Sequence, residues 1–470
     1  MRPHLAPLVL TVLLGSSAPA AVAATTPSAA RVDPVRTLRE RALADETAYD
    51  VVRSLTTDVG PRLAGSPGDA KAVAWAVERL TALGFKNVVK EAVTVPHWDR
   101  GTLRVERLGG GARPLTATSL GGSVGTDGQP LEADVVRVPS LADLKALPRA
   151  QVAGRIVFLS ARLSELKDGS GYAWTVPIRT RGAAEAAKLG AAAVVIRSVG
   201  SDADTAHTGA MGYKEGVPKI PAVAISNADA DTLEAGIDAG ATIRLRLTST
   251  ARRVGEATSY NVIGEIPGRT PELVLLGAHL DSWDLATGAQ DDGAGVAIVI
   301  SAARLVAGLP DPPRRTLRVV LFANEEFGLS GAFNYAVTHA PEIERHAVAI
   351  EADHGAGRVY GLSSRVASER VPAVRALAAG LADLDILYYD NRARGGADIG
   401  PLATLGVPLL NLAQDGSLYF RYHHSTADTL DSIDRAALRQ AVAAYAVTAY
   451  LAAESPDGFG RLPAAIDAEE

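Results

Sequence analysis

Between Gly277 and Gly295 the chain reads GAHLDSWDLATGAQDDGAG. One apolar run, residues 273–276, precedes this stretch and another, residues 296–300, follows it. An apolar run bounded by glycine predicts a buried strand, and a pattern opening after GAG predicts a helix. His279 and Asp281 therefore fall at the end of a strand, with Asp291 and Asp292 in the loop before a helix. In open α/β sheets, ligand-binding groups collect at that place. A neutral imidazole among several carboxylates suits a divalent metal with mixed nitrogen and oxygen ligands.

Working outward, strand-like and helix-like segments alternate downstream of residue 260. Strands are predicted over 261–266, 274–276, 317–323 and 347–351, with helices over 295–305 and 330–339. Residues 435–453 read as one long Ala-rich helix. This alternation predicts an α/β fold, a mostly parallel sheet with helices on both faces. Upstream, residues 35–55 and 70–83 read as helices, the second with Trp75 on its apolar side. Between them Gly60, Pro61, Gly65 and Pro67 make a loop in which Arg62 is given no role. Strands are predicted over 88–95 and 103–108. The texture changes from about residue 129. Strands over 153–159, 190–196 and 220–226, with helices over 179–189 and 229–239, form a self-contained block holding no cluster of metal-type ligands. His207 in this block reads as a solvent-exposed loop residue. The expected organisation is a core domain of residues 35–125 and 252–470, with residues 126–251 as an insert that shapes or covers a cleft.

At 470 residues and 47% hydrophobic, the chain can bury two or three structural units. A net charge of -6 without a Lys/Arg cluster excludes a nucleic-acid partner. Arg2, the apolar residues 8–14 and Ala21-Val22-Ala23 form a signal-peptide pattern over 1–23, followed by a Thr/Ser/Pro/Ala spacer over 24–34. That pattern predicts export, to the periplasm or the medium. No other segment is long and apolar enough for a membrane. The absence of cysteine excludes thiolate chemistry and thiolate metal ligands.

Four motifs converge on one site: His279-Leu-Asp281 with Asp291, the run Leu321-Phe-Ala-Asn-Glu325-Glu326-Phe-Gly328, Glu351-Ala-Asp353-His354, and Tyr422-His423-His424-Ser-Thr-Ala-Asp428. The first three lie at or just after predicted strand ends. Carboxylates gathered at one sheet edge repel one another unless cations neutralise them. Asp291, Glu326 and Asp353 bring three negative charges, while His279 and His424 are neutral. A single dication leaves the site anionic and hostile to a carbonyl oxygen. Two leave a small positive surplus that one hydroxide cancels, the arrangement of co-catalytic hydrolases with metals about 3.5–4 Å apart. Glu325 beside Glu326 then reads as a general base next to a ligand, and Asp281 as the support of the second nitrogen of His279.

Jointly, GAHLDSWD, QDDGAG, FANEEFGLSG, EADHG and HHSTADT resemble the M28 family of co-catalytic zinc exopeptidases, nearest to its carboxypeptidase Q-like dipeptidases. GPRLAGSPG, the GGAD run ending at Asp398 and residues 406–408 also fit, and the block near 130–250 resembles a protease-associated (PA) insert. The resemblance implies a zinc-exopeptidase fold and two zinc ions bridged by Asp291. His279 and Asp353 would complete one zinc, Glu326 and His424 the other, with a metal-bridging hydroxide as nucleophile and Glu325 as base. His423 and His424 compete for the last ligand position; the family pattern places it directly before Ser or Thr, hence His424. Members often carry Tyr just before it, where His423 stands here, so that role stays open. His423, Trp283 and Asp398 are candidate substrate contacts, with loop packing the alternative for Trp283 and Asp284. Asp292 would be structural, and His354 is left outside the metal shell. His97, His339 and His346 show no acidic partner pattern.

Each motif alone is weak, since a Glu-Glu pair is ordinarily a solvated helix start; their order together carries the reading. The expected activity is that of a secreted di-zinc exopeptidase acting on short peptides, in the dipeptidase or aminopeptidase manner. The resemblance adds a homodimer. The rivals are a carboxypeptidase on longer peptides, a single-zinc glutaminyl cyclase-like acyltransferase, a non-catalytic receptor-like scaffold, and a peptide-capturing module working through the insert.

Overall fold

The computed structural model describes Met1, residues 33–109 and residues 111–463. The signal segment and all of the spacer before Asp33 lie outside the described residues; Pro34, the end of that spacer, already starts a helix, Pro34–Ala44.

The larger sheet has eight strands in the order Lys86–Asp99, Arg252–Ile266, Arg315–Phe322, Thr270–His279, His346–Glu351, Leu409–Gln414, Val359–Arg365, Leu387–Tyr388. Its four central strands, from Arg315–Phe322 to Leu409–Gln414, run parallel. Antiparallel pairings flank them on both sides. The strand Thr270–His279 is buried on both faces because its side chains alternate. Val274, Leu276 and Ala278 join one core with the helices Ala294–Ala307 and Arg435–Glu454, while Leu275 joins another beneath the helix Ser330–Thr338. The helix Pro67–Ala82 starts where proline and a serine cap dictate: the Ser66 side chain accepts from the Asp69 amide. Asp434 caps Arg435–Glu454 in the same way, accepting from the amides of Ala436 and Ala437.

A second sheet runs in the order Arg113–Pro114, Leu103–Leu108, Arg244–Ser249, Leu131–Val138, Ile156–Leu159, Ala193–Arg197, Ala222–Ile225, Ala117–Ser119. The insert therefore starts earlier than residue 126. Leu103–Leu108 pairs antiparallel with Arg244–Ser249, so residues 103–119 belong to the second sheet and not to the first. The chain leaves the large sheet along Lys86–Asp99 and returns along Arg252–Ile266, two strands paired from Lys86 with Glu265 to Asp99 with Arg252.

Candidate metal centre

The four central parallel strands end at one edge, and the four motifs emerge there. His279 closes its strand, Glu325 and Glu326 follow Phe322, Asp353 follows Glu351, and His423 and His424 follow Gln414 in the next loop. His279 Nε2 lies 3.2 Å from Asp291 Oδ1 and 3.5 Å from Asp353 Oδ1. On the other side of the same carboxylate, His424 Nε2 lies 3.1 Å from Asp291 Oδ2 and 2.8 Å from Glu326 Oε2. Asp291 thus turns one oxygen to each of two imidazole–carboxylate pairs. His423 Nε2 stands off at 3.7 Å from Asp291 Oδ2, its ring stacked on His424 with centroids 3.5 Å apart.

Burial opposes charge on His279, yet Asp281, Asp291 and Asp353 hold its pKa well above the usual imidazole value. Burial likewise works against His424, and Glu326 with Asp291 outweighs it, lifting the ring to about 9. Asp291 is held well below the ordinary carboxylate value, against its burial, by His279 and His424. Burial pushes Glu326 up to about 7 and Glu325 well up. Asp291 Oδ2 and Glu326 Oε1 are buried without a hydrogen-bond partner. Converging nitrogen and oxygen lone pairs with orphaned acceptors are the donor set of a divalent cation site, and the residues present fit one.

Around these groups the backbone is tightly held. Asp428 accepts from the amides of Gln290 (2.6 Å) and Asp291 (3.2 Å), fixing the bridging candidate. Asp292 accepts from the amides of His279 and Gly295, fastening the strand end to the helix start. Arg62, fully buried, donates to the carbonyls of Leu280, Thr287 and Gly288 and so clamps the loop between His279 and Asp291. Asp428 lies inside a motif already singled out, but sequence spacing does not show which amides it reaches; Arg62 carried no signal beyond its glycine- and proline-rich loop.

Several expected placements change. The Asp281 carboxylate is 3.7 Å from His279 Nδ1, whereas the ring nitrogen bonds the Asp281 carbonyl at 3.1 Å. Asp281 Oδ1 instead accepts from the Glu325 amide at 3.0 Å, and Oδ2 from that of Glu326 at 3.4 Å, so it positions the two glutamates. Asp398 is fully buried against Glu351, which accepts from its amide. Trp283 packs among Leu63, Trp98 and Phe327 and lies edge-to-face with His424. Asp284 pairs with Arg100. His207 is fully buried, since its Nδ1 meets the His423 carbonyl at 2.7 Å. His339 does have acidic partners, Glu342 three residues on in the sequence and Glu91 brought by the fold from the edge strand Lys86–Asp99.

A cleft of about 430 Å³ opens over the centre. Glu325, Asp353 and His423 line its floor, while Tyr172 and Arg179 of the insert line its roof. Residues 261–449 match the family model described as peptidase family M28, and residues 117–233 match that of the PA domain. Carboxypeptidase Q of Rattus norvegicus is 36% identical over 410 residues, 87% of this chain and 85% of that protein.

The chain belongs to peptidase family M28.

It is a metallopeptidase of this metallo-exopeptidase family, and peptides are its substrates. The crystal structure of a peptidase M28 precursor from Shewanella amazonensis SB2B superposes with a TM-score of 0.90 at 46% identity, covering 91% of this chain and 98% of that one. BSAP, a zinc aminopeptidase from Bacillus subtilis, shares the fold with a TM-score of 0.64 at 21% identity, over 90% and 98% of the respective chains. No helix among the described residues is long and apolar enough to cross a membrane.

Proposed function

We propose that this M28 peptidase is an exported di-zinc exopeptidase that releases amino acids from short peptides. The observation that carries the reading is Asp291, whose Oδ1 faces His279 and Asp353 while its Oδ2 faces His424 and Glu326. His279, Asp291 and Asp353 would hold one ion, and Asp291, Glu326 and His424 the second. Bound there, zinc supplies Lewis acidity to a substrate carbonyl and lowers the pKa of a water towards ~7.

The protein's own groups do the rest. Glu325 is half-buried in the cleft, and its backbone is fixed by the hydrogen bond to Asp281. Its carboxylate takes the proton of the attacking water and delivers it to the nitrogen of the leaving amine as the C–N bond breaks. The signal pattern over 1–23 supports an exported protein.

The test is a dipeptide panel given to the zinc-loaded mature chain, each terminus free or blocked in turn, beside a count of bound zinc. Two zinc ions per chain with cleavage of unblocked dipeptides is the expected result. One zinc per chain, or two with no peptide cleaved, would sink the proposal.

A further inference from the structure

A second cavity, of about 540 Å³, shares no lining residue with the cleft over the metal centre. The two meet at one turn. Glu325, Glu326 and Gly328 line the cleft, and Phe327, between them in the chain, lines the second cavity. The Phe327 ring packs on the backbone of Gly122, where a Cβ would fall 2.7 Å from its Cζ. The turn is tied across itself: Asn324 Nδ2 donates to the Phe327 carbonyl at 3.1 Å, and the Gly328 amide to the Glu325 carbonyl at 3.3 Å. Pressure on Phe327 therefore reaches Glu325.

Trp98 and Tyr213 supply the other aromatic walls, and their polar atoms are already engaged. Trp98 Nε1 donates to the Ser123 carbonyl at 2.9 Å. The Tyr213 hydroxyl accepts from the Val124 amide at 2.9 Å and donates to the Ile220 carbonyl at 2.7 Å. These bonds fix the rings and leave only ring surface to a ligand. The charged part of the lining is cationic. Lys214, Lys219 and Arg253 are exposed there against one acid, Glu215. No Asp or Glu among the described residues forms an ion pair with any of the three. Lys219 Nζ lies 5.7 Å from the centroid of the Tyr213 ring, and Arg253 is the cross-strand partner of Trp98. Cross-strand partners present their side chains on one face, so cations and rings stand together. Such a lining suits a ligand that is anionic at one end and flat and apolar at the other. The volume lies within the roughly 300–1,000 Å³ usual for small-molecule sites.

We propose that this cavity is an effector site for a small organic anion with an aromatic body, acting through Phe327 on the turn that carries Glu325. The ring lies against Trp98 and Phe327, and the charge faces Lys219 and Arg253. Binding stands on the lining alone, while the effect on rate rests on the peptidase reading given above.

The probe is 3-phenylpropionate, titrated by calorimetry into the zinc-loaded chain beside 3-phenylpropanamide, which keeps the ring and lacks the charge. The proteins are the wild type, the double variant Lys219→Gln/Arg253→Gln, and Val217→Trp, which fills the cavity from a half-buried position in its wall. The wild type should bind the acid about 5- to 30-fold more tightly than the amide, and the double variant should lose that margin. Val217→Trp should bind neither. At saturating dipeptide the acid should shift the wild-type kcat by a factor of about two or more, and should have no effect on Val217→Trp. Absence of binding, or binding that both variants leave untouched, would overturn the site. An acid that only raises KM competes in the cleft, and one that alters neither constant does not reach Glu325; either result overturns the effector role. Should no preparation cleave a peptide, the peptidase reading and the effect on rate fall together. Calorimetry then decides the site alone: a margin for the acid that disappears in both variants upholds it, and equal binding overturns it.

Discussion

Glu325 and Glu326 are neighbours in sequence with the same side chain, and the structure separates them by what each faces. Glu326 Oε2 meets His424 Nε2 at 2.8 Å, whereas Glu325 meets the cleft. On the proposed di-zinc reading, Glu325→Gln should leave both zinc ions bound, because Glu325 is assigned as the base and not as a ligand. Its kcat should fall about 10²–10⁴-fold, the range for losing a general base. Zinc analysis and initial rates on the same preparation check this, and a near wild-type rate would show that another group moves the proton. Glu326→Ala is expected to give the reverse signature, one zinc fewer per chain, since it removes a ligand and not a base. The paired glutamates, His279 and Asp353 could be read from the sequence because each sits on or just past the end of a predictable strand, and Asp291 because it sits in the loop before a predictable helix. Arg179 could not. It lies 245 residues from His424 in a helix whose pattern is only Ala-rich, and nothing local announces that folding sets the two 3.2 Å apart.

Strands made of continuous apolar runs were legible in the sequence, for a physical reason. Leu273–Leu276 and Val319–Phe322 are continuous apolar runs, which only a doubly covered strand tolerates. Val359–Arg365 reads VYGLSSR, with neither a continuous apolar run nor a strict alternation, so its sequence does not announce a strand. The run 35–55 is also not one helix: Pro34–Ala44 stops, and Thr47–Ser54 begins after the Asp45 side chain accepts from the Thr47 amide. His346, at the start of its strand, shows how an element end can set acid stability. Its Nε2 accepts from the Tyr335 hydroxyl at 2.9 Å and its Nδ1 meets the Glu342 carbonyl at 3.3 Å, so the ring is satisfied when neutral. Burial, then the charge of Arg318, depresses its pKa from 6.5 to about 4. Between these values the unfolded chain binds the proton and the folded one does not, so stability falls as pH drops from 6.5 towards 4. Urea midpoints across that window should fall less steeply in His346→Gln than in the wild type, by roughly 1–3 kcal/mol over the range. Parallel slopes would show that the ring titrates normally in the folded protein.

At the scale of the whole molecule, the insert holds part of the centre together. The Thr208 amide donates to the His424 carbonyl at 2.8 Å, and the Ser201 amide to the Phe420 carbonyl at 2.9 Å. The Gly416 amide donates to the Lys167 carbonyl at 2.9 Å, and His207 meets the His423 carbonyl. The loop that carries His423 and His424 is therefore tied to the insert at four points, while His279 and Asp353 stand at the ends of large-sheet strands and Asp291 just before the helix Ala294–Ala307. This asymmetry separates two views of the insert. A peptide-capturing module would leave both metals bound when removed. A structural half of the centre would take one metal with it. Asp99 and Arg252 are cross-strand partners, so an Asn-Gly turn can join them and close the stalk into a hairpin without the insert. The shortened protein is expected to fold around its large sheet and bind one zinc at His279, Asp291 and Asp353. The ion at His424 and Glu326 should be lost, and dipeptide cleavage with it. Zinc stoichiometry by mass spectrometry under non-denaturing conditions reads this directly. Two retained ions with lost cleavage would return the insert to the role of a capture module, because the His424 loop would then hold its shape without those four ties.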